Sequence, residues 1–254
     1  MGNPVPLGRT LFLSDLHLGM GRDEPSRRAD LATLLEKAPG NVDDLVLGGD
    51  VFEFWWEWRH ALPRGFDDML DRFRALSDSG VGLHLIAGNH DFAIGQGLAS
   101  RCGATVHPDG LLGCSDGADW LLLHGDASTP AERADRILRR VLRSKICQSL
   151  WNLLPCDVSF PLALGVGKGT RSLDKGISAH TLAMEPTMRG WMRRWGLAGV
   201  VHGHSHRPLL TNGPEGIYIN NGDWVRGRWA AWFCGKKAGL VDCTQKELPW
   251  PSST

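Results

Sequence analysis

The chain has 254 residues, 42% hydrophobic and 22% charged, with 28 Lys+Arg against 28 Asp+Glu. That length supports one large α/β domain or two small ones, with a real hydrophobic core, and a zero formal net charge argues against a general polyanion binder. Six scattered cysteines without a CxxC pair exclude a disulfide framework or a zinc ribbon and point to a reducing compartment.

Taken in chain order, short apolar runs end repeatedly in polar residues. The N-terminus lacks a basic stretch followed by a long apolar run, so no signal peptide is expected. Thr10–Leu13 stops at Ser14-Asp15-Leu16-His17. Ser26–Lys37 has the helical spacing of Ala29, Leu31, Leu34 and Leu35. Leu45–Leu47 meets Gly48-Gly49-Asp50, and Phe66–Leu76 again reads as a helix. Val81–Ala87 runs into Gly88-Asn89-His90-Asp91, and Leu121–Leu123 into His124-Gly125-Asp126. Runs this short fit buried strands better than helices. Their alternation with helices predicts a layered α/β body.

After His124 the pattern changes. Pro130–Leu154 reads as a basic helix, broken by Pro155 and Pro161. A second helical stretch spans about Ser172–Trp195, with an interruption expected near Pro186. Between Ala127 and Trp195 there are twelve Lys/Arg and five Asp/Glu, so this segment is +7 and the remainder −7. Gly199–Val201 then meets His202-Gly203-His204-Ser205-His206, and a strand-like tail follows, with turns expected at Asn212-Gly213 and Asn221-Gly222. The reading is a single domain over residues 1–254 with a helical cap insertion at about 128–195.

Ligand sites in open α/β sheets lie at the carboxyl ends of strands. Five such ends offer Asp15, His17, Asp50, Asn89, His90, His124, His204 and His206. Singly, each is an ordinary turn residue. Together, carboxylate, imidazole and amide oxygen make a donor set for a borderline divalent cation such as Mn²⁺ or Zn²⁺. Alternation turns His202 away from that set if His204 faces it. His60, His84, His107 and His180 belong to no motif and are assigned to packing or surface.

Asp15-x-His17, Gly49-Asp50, Gly88-Asn89-His90-Asp91, His124 and Gly203-His204-Ser205-His206 resemble the five blocks of the calcineurin-like metallophosphoesterase family, over about residues 10–225. The resemblance implies an α/β fold, a four-layer αββα metallophosphoesterase sandwich. It also implies two divalent cations, habitually Mn²⁺ in this family. By the same resemblance Asp15, His17 and His206 hold one cation, Asn89, His124 and His204 the other, and Asp50 bridges them. A two-metal-activated hydroxide then attacks a phosphoryl centre. His90, expected just outside the metals, stabilises charge or protonates the leaving group. Asp91 either orients His90 or caps the turn.

Substrate choice must come from the insertion and loops. Asp50–Phe66, Arg143–Pro155 and Gly222-Asp-Trp-Val225 resemble the UDP-2,3-diacylglucosamine pyrophosphatase branch of the family. That branch cleaves its lipid-linked nucleotide sugar to UMP and 2,3-diacylglucosamine 1-phosphate in lipid A synthesis, at the cytoplasmic face of the bacterial inner membrane. Between Lys145 and Lys168 the lone charge is Asp157, and cations flank this apolar stretch. Such a cap suits acyl chains, a pyrophosphate and an anionic bilayer surface. The stretch also has the pattern of a hairpin packed on the body. Asn89, His90, Lys168, Thr170, Arg171 and Lys175 are the candidate substrate contacts. Glu53, Trp55, Trp56 and Trp58 either line the pocket or pack between layers.

One residue departs from the branch, which often has Arg where this chain has His90. The His form matches the wider family, which keeps a soluble phosphodiester or phosphomonoester open as an alternative substrate. Gly165-Val-Gly-Lys-Gly-Thr170 lacks the spacing and preceding strand of a phosphate-binding loop. No basic strip with interleaved aromatics points to nucleic acid, and no protein partner is evident. The expected location is cytoplasmic, with peripheral contact at the inner membrane.

Overall fold

A computed structural model describes residues 3–58, 61–126, 128, 137, 140–142, 144–151, 153–154, 177–245, 248 and 250–251. Its strands are β1 (Val5–Leu7), β2 (Thr10–Leu13), β3 (Asp44–Gly48), β4 (Gly82–Ile86), β5 (Thr105–His107), β6 (Leu111–Ser115), β7 (Ala118–Leu122), β8 (Gly199–His202), β9 (Leu209–Gly213), β10 (Gly216–Asn220), β11 (Trp229–Cys234) and β12 (Lys237–Asp242). Its helices are α1 (Glu24–Lys37), α2 (Asp67–Asp78), α3 (Gln96–Cys102), α4 (Lys145–Trp151) and α5 (Ile177–Trp195).

Two six-stranded sheets form, in the orders β12-β11-β2-β3-β4-β5 and β1-β6-β7-β8-β10-β9. The central strands β2, β3, β4 and β5 are parallel, in the register Phe12↔Val46↔His84↔Thr105. Of these, β2, β3 and β4 are buried on both faces, which is why they read as unbroken apolar runs, while β5 is the half-exposed edge. One face packs under α1 and α2 through Leu31, Leu35, Met69, Phe73, Leu45 and Leu83. The other meets the second sheet through Phe12, Val46 and Ile86 against Trp120, Leu122, Val201 and Ile219. Trp120 stacks on Phe233 at 4.6 Å in this middle layer. On the far side, Met184, Met188 and Met192 of α5 bury against Val200 and Tyr218. The layers are therefore helix, sheet, sheet, helix.

Several expectations are corrected. β7 begins at Ala118, three residues before the apolar run, because its alternating half-buried residues hide the strand. The turn after β9 falls at Pro214-Glu215, not at Asn212-Gly213, which lies within β9. The expected interruption at Pro186 is absent, and α5 continues through it. The methionine stripe and Arg189, bound to Glu185 and to Thr211 Oγ1, tie this helix to the sheet and outweigh the lost N–H. Lys168, Thr170, Arg171 and Lys175 lie outside the described residues, as do His60 and residues 130–136, 138–139, 143 and 152 of the 130–154 stretch.

Candidate metal centre

Five loops converge at the carboxyl ends of β2, β3, β4, β7 and β8. Their backbones are laced together. Asp15 N–H donates to Gly49 O at 3.0 Å, His17 N–H to Asp50 O at 2.9 Å, and Gly203 N–H to His124 O at 3.0 Å. Seven described non-glycine residues have φ in the left-handed region, and five are Asp15, His17, Asp50, His204 and His206. Such backbone costs about 1 kcal/mol or more per residue and is found where the surroundings enforce it for function.

Close approach also demands glycine. A Cβ on Gly88 would overlap Asp50 Oδ1, one on Gly203 would overlap Asp15 Oδ2, and one on Gly49 would stand 2.6 Å from His124 Nδ1.

The side chains gather in three overlapping groups, each with ligand atoms within 4.8 Å of one another: Asp15, His17 and His206; His17, Asp50 and His90; Asp15, Asp50 and His124. Asn89 Oδ1 lies 3.1 Å from His124 Nε2. His204 meets His124 edge-on, with ring centroids 5.2 Å apart. Asp15, His17, Asp50 and His124 form a buried floor, while Asn89, His90, His204 and His206 stand partly open on the rim.

The imidazoles share one arrangement. His17 Nδ1 donates to Glu53 Oε2 at 3.1 Å, His90 Nδ1 to Glu53 O at 3.0 Å, and His124 Nδ1 to Gly48 O at 3.0 Å. His206 Nδ1 lies 3.3 Å from Asp223 Oδ2. In each ring Nε2 is then the atom turned toward the carboxylates, at 3.9 Å and 4.0 Å from Asp50 Oδ2 for His17 and His90, and 3.4 Å for His124. His206 Nε2 is 3.5 Å from Asp15 Oδ1. Holding Nδ1 on an acceptor leaves Nε2 free to bind a cation.

Electrostatics agree with that geometry. Burial pushes the Asp50 carboxyl up, but His124, His90 and His17 together hold it well below the usual carboxylate range. Burial alone would lower His124, yet Asp50 raises it to about 10. His206 is likewise raised against burial by its bond to Asp223 and by Asp15. Burial and nearby His124 lower His204.

Asp15 Oδ1 is buried without a hydrogen-bond partner. A buried carboxylate oxygen with no donor, facing imidazole nitrogens, fits a divalent cation.

Sequence reasoning left several roles open that the structure resolves. Asp91 does not orient His90. Its carboxylate accepts backbone N–H groups of Gly88 at 2.7 Å, Val51 at 2.7 Å and Asp50 at 3.2 Å, tying two loops together. Trp55 and Trp56 are buried, and Trp55 packs on Phe52 at 4.3 Å. His90 sits as near Asp50 as His17 does, closer in than expected. Glu53 and Asp223, which hold His17 and His206, lie in stretches that resemble the branch, but nothing in those stretches assigned them this role. Their cue is position, three residues after Asp50 and just past the last strand of the second sheet. His202 does face away, bonding Tyr218 Oη at 2.8 Å, and burial lowers its pKa to about 3.

This fold and cluster define a class. A calcineurin-like phosphoesterase model matches residues 8–208, and the chain belongs to that family, which implies divalent metals. More particularly, a UDP-2,3-diacylglucosamine hydrolase of Pseudomonas paraeruginosa is 34% identical over 235 residues, covering 87% of this chain and 92% of its own. One from Edwardsiella ictaluri is 31% identical over 202 residues, covering 79% and 77%. Among solved structures, Yfce, a phosphoesterase from E. coli, matches the fold with a TM-score of 0.50 at 14% identity, covering 95% of this chain and 96% of that one. Among the described residues, no helix is long and apolar enough to cross a membrane.

Proposed function

We propose that this protein hydrolyses the pyrophosphate of UDP-2,3-diacylglucosamine, giving UMP and 2,3-diacylglucosamine 1-phosphate, a step of lipid A biosynthesis. The observation that carries this reading is the 31–34% identity to hydrolases of that name over most of both chains. The convergent carboxylates and imidazoles supply its chemistry. Asp15, His17 and His206 would hold one cation and Asn89, His124 and His204 the other, with Asp50 able to serve both because a carboxylate has two oxygens. The cations, Mn²⁺ by family habit, would make a water nucleophilic near neutral pH and neutralise phosphoryl charge.

The chain's own groups do the rest. Asn89 and His90, on the open rim, meet the phosphate. His90 Nδ1–H is held by Glu53 O, so in the imidazolium form the Nε2–H is the proton left to pass to the leaving phosphate oxygen. Water adds to one phosphorus and loses a proton to solvent, the bridging P–O bond breaks, and the departing phosphate oxygen takes the His90 proton. Exposed Ile146, Leu150 and Leu153 offer an apolar surface for acyl chains. Lys168, Thr170, Arg171 and Lys175 are assigned to the anionic part of the substrate. The cap at 128–195 belongs to the same single domain. Its cations and apolar residues suit peripheral contact with the cytoplasmic face of the inner membrane.

His90, where the branch often has Arg, favours a second reading, a soluble phosphodiester. The deciding test is UMP release from UDP-2,3-diacylglucosamine with Mn²⁺ and detergent, beside a nitrophenyl phosphodiester. Fast cleavage of the lipid substrate and slow cleavage of the ester are expected. The reverse would keep the metal centre and remove the substrate.

A further inference from the structure

The Asp50 loop continues into a segment that neither the metal chemistry nor the family blocks account for. Glu57 directs its carboxylate to the loop after β4. It accepts N–H groups of Gly95 at 2.7 Å, Gly97 at 2.8 Å and Leu98 at 3.0 Å, at the start of α3. Three backbone donors on one carboxylate make a strong, directional tie. The two glycines are part of it, because a Cβ on either would come within 3.0 Å of Glu57 Oε2. The tie joins the loop after β3 to the loop after β4, five residues beyond His90.

Between these anchors stands Trp56. Its backbone bridges to Ala93, and its ring packs edge-on against Phe92 at 5.9 Å. Trp56 is 3% exposed, and its ring also meets Trp151, the last residue of α4, at 5.6 Å. The same helix leaves Ile146 and Leu150 at 76% and 62% exposure. One end of α4 therefore rests on the catalytic loops while its apolar side faces outward.

Building on the functional reading above, we propose that Glu57 and Trp56 form a seat for Trp151. The seat positions the apolar side of α4 relative to His90 and so sets acceptance of the diacyl part of the substrate. Glu57 and Trp56 are positioning residues and touch no reacting atom. Aromatic pairs contribute beyond their buried area and prefer tilted or edge-on geometry, so the seat has a preferred orientation that an aliphatic side chain cannot reproduce. Loss of the tie frees the Trp56–Glu57 segment to shift against α3, while Asp50 stays held by Asp91 and by the His17 N–H, so the loss appears in binding of the diacyl substrate.

The test uses the full-length, metal-loaded enzyme. kcat and KM are measured separately on UDP-2,3-diacylglucosamine in detergent and on a small nitrophenyl phosphodiester. Trp151→Leu and Glu57→Ala should each raise KM for the diacyl substrate about tenfold, with kcat held within about twofold. The double variant should be no worse than either single, because both changes undo one contact. Trp151→Phe should recover most of the loss. Equal falls in kcat on both substrates, multiplying KM effects in the double variant, or no KM change would each overturn the seat. If the wild type leaves the diacyl substrate intact, the functional reading fails by itself. The seat is then judged on Tm: losses in the double variant smaller than the sum of the singles retain it, and additive losses remove it.

Discussion

At the scale of single residues, the centre depends on a few atoms that have no substitute. Asp50 faces His17, His90 and His124 at once. Asp50→Ala should abolish metal-dependent turnover and lower the metal content measured on the purified protein. Retention of wild-type rate would remove the two-metal assignment. His90 differs, because its role lies with the phosphate. His90→Ala should lower kcat by about 10²–10⁴-fold while both metals stay bound. Loss of metal on that change would make His90 a ligand, which its nearness to His17 and Asp50 makes a sharp alternative. Glu53 is the least conspicuous member. It receives His17 Nδ1 on its carboxylate and His90 Nδ1 on its carbonyl. Removing a partner that orients a ligand costs about 10–100-fold in metal affinity. Glu53→Ala should therefore weaken Mn²⁺ binding in a direct titration, and unchanged binding would make the His17 contact incidental.

At the scale of elements, two features make predictions away from chemistry. α5 carries Pro186 in its interior with the side chain exposed. Restoring the missing N–H with Pro186→Ala removes a local penalty of about 3 kcal/mol and gives back about 1 kcal/mol of unfolded-state entropy. A Tm rise of a few degrees is expected, and a fall would mean that the proline shapes the helix usefully.

The second feature is a polar cluster across β3, β4 and β5, apart from the metal centre. His84 Nδ1 lies 3.1 Å from His107 Nε2, and His84 Nε2 is 3.4 Å from Asp44 Oδ1. Burial, then His84, lowers the His107 pKa to about 4 from an ordinary 6.5. Between those values the unfolded chain binds the proton and the folded chain does not. This contribution is therefore intact above about pH 6.5 and is lost as pH falls toward 4. His107→Gln should flatten the pH dependence of the urea midpoint in that window, and an unchanged slope would assign the acid sensitivity elsewhere.

At the scale of the whole molecule, the metals and the fold support each other. Five residues of the centre hold left-handed backbone, and a carboxylate oxygen is buried without a donor. These features oppose folding until a cation compensates them. A ligand that binds only the folded state stabilises it by mass action. Chelation should lower Tm, and Mn²⁺ should restore it in a concentration-dependent way. A Tm insensitive to both would mean that the loops keep their geometry without cations.

The chemistry was legible along the chain because parallel strands buried on both faces read as apolar runs, and their ends must carry whatever the site needs. Thr10–Leu13 before Asp15 and Val81–Ala87 before Asn89 show this, as does the layered α/β body that such runs and their helices imply. What the sequence could not reveal depends on contacts distant along the chain. Glu53 holding His17, Asp223 holding His206 and Asp91 binding the Gly88 and Val51 backbones join segments that share no spacing rule. The continuity of α5 through Pro186 was decided by its buried methionines, since packing outweighs local propensity. The sequence by itself determined which donors the molecule presents, because those residue types follow from the chemistry. Their gathering around one centre, and the contact of Trp151 with Trp56, were decided by tertiary structure, because only folding brings five loops and a distant helix within a few ångströms.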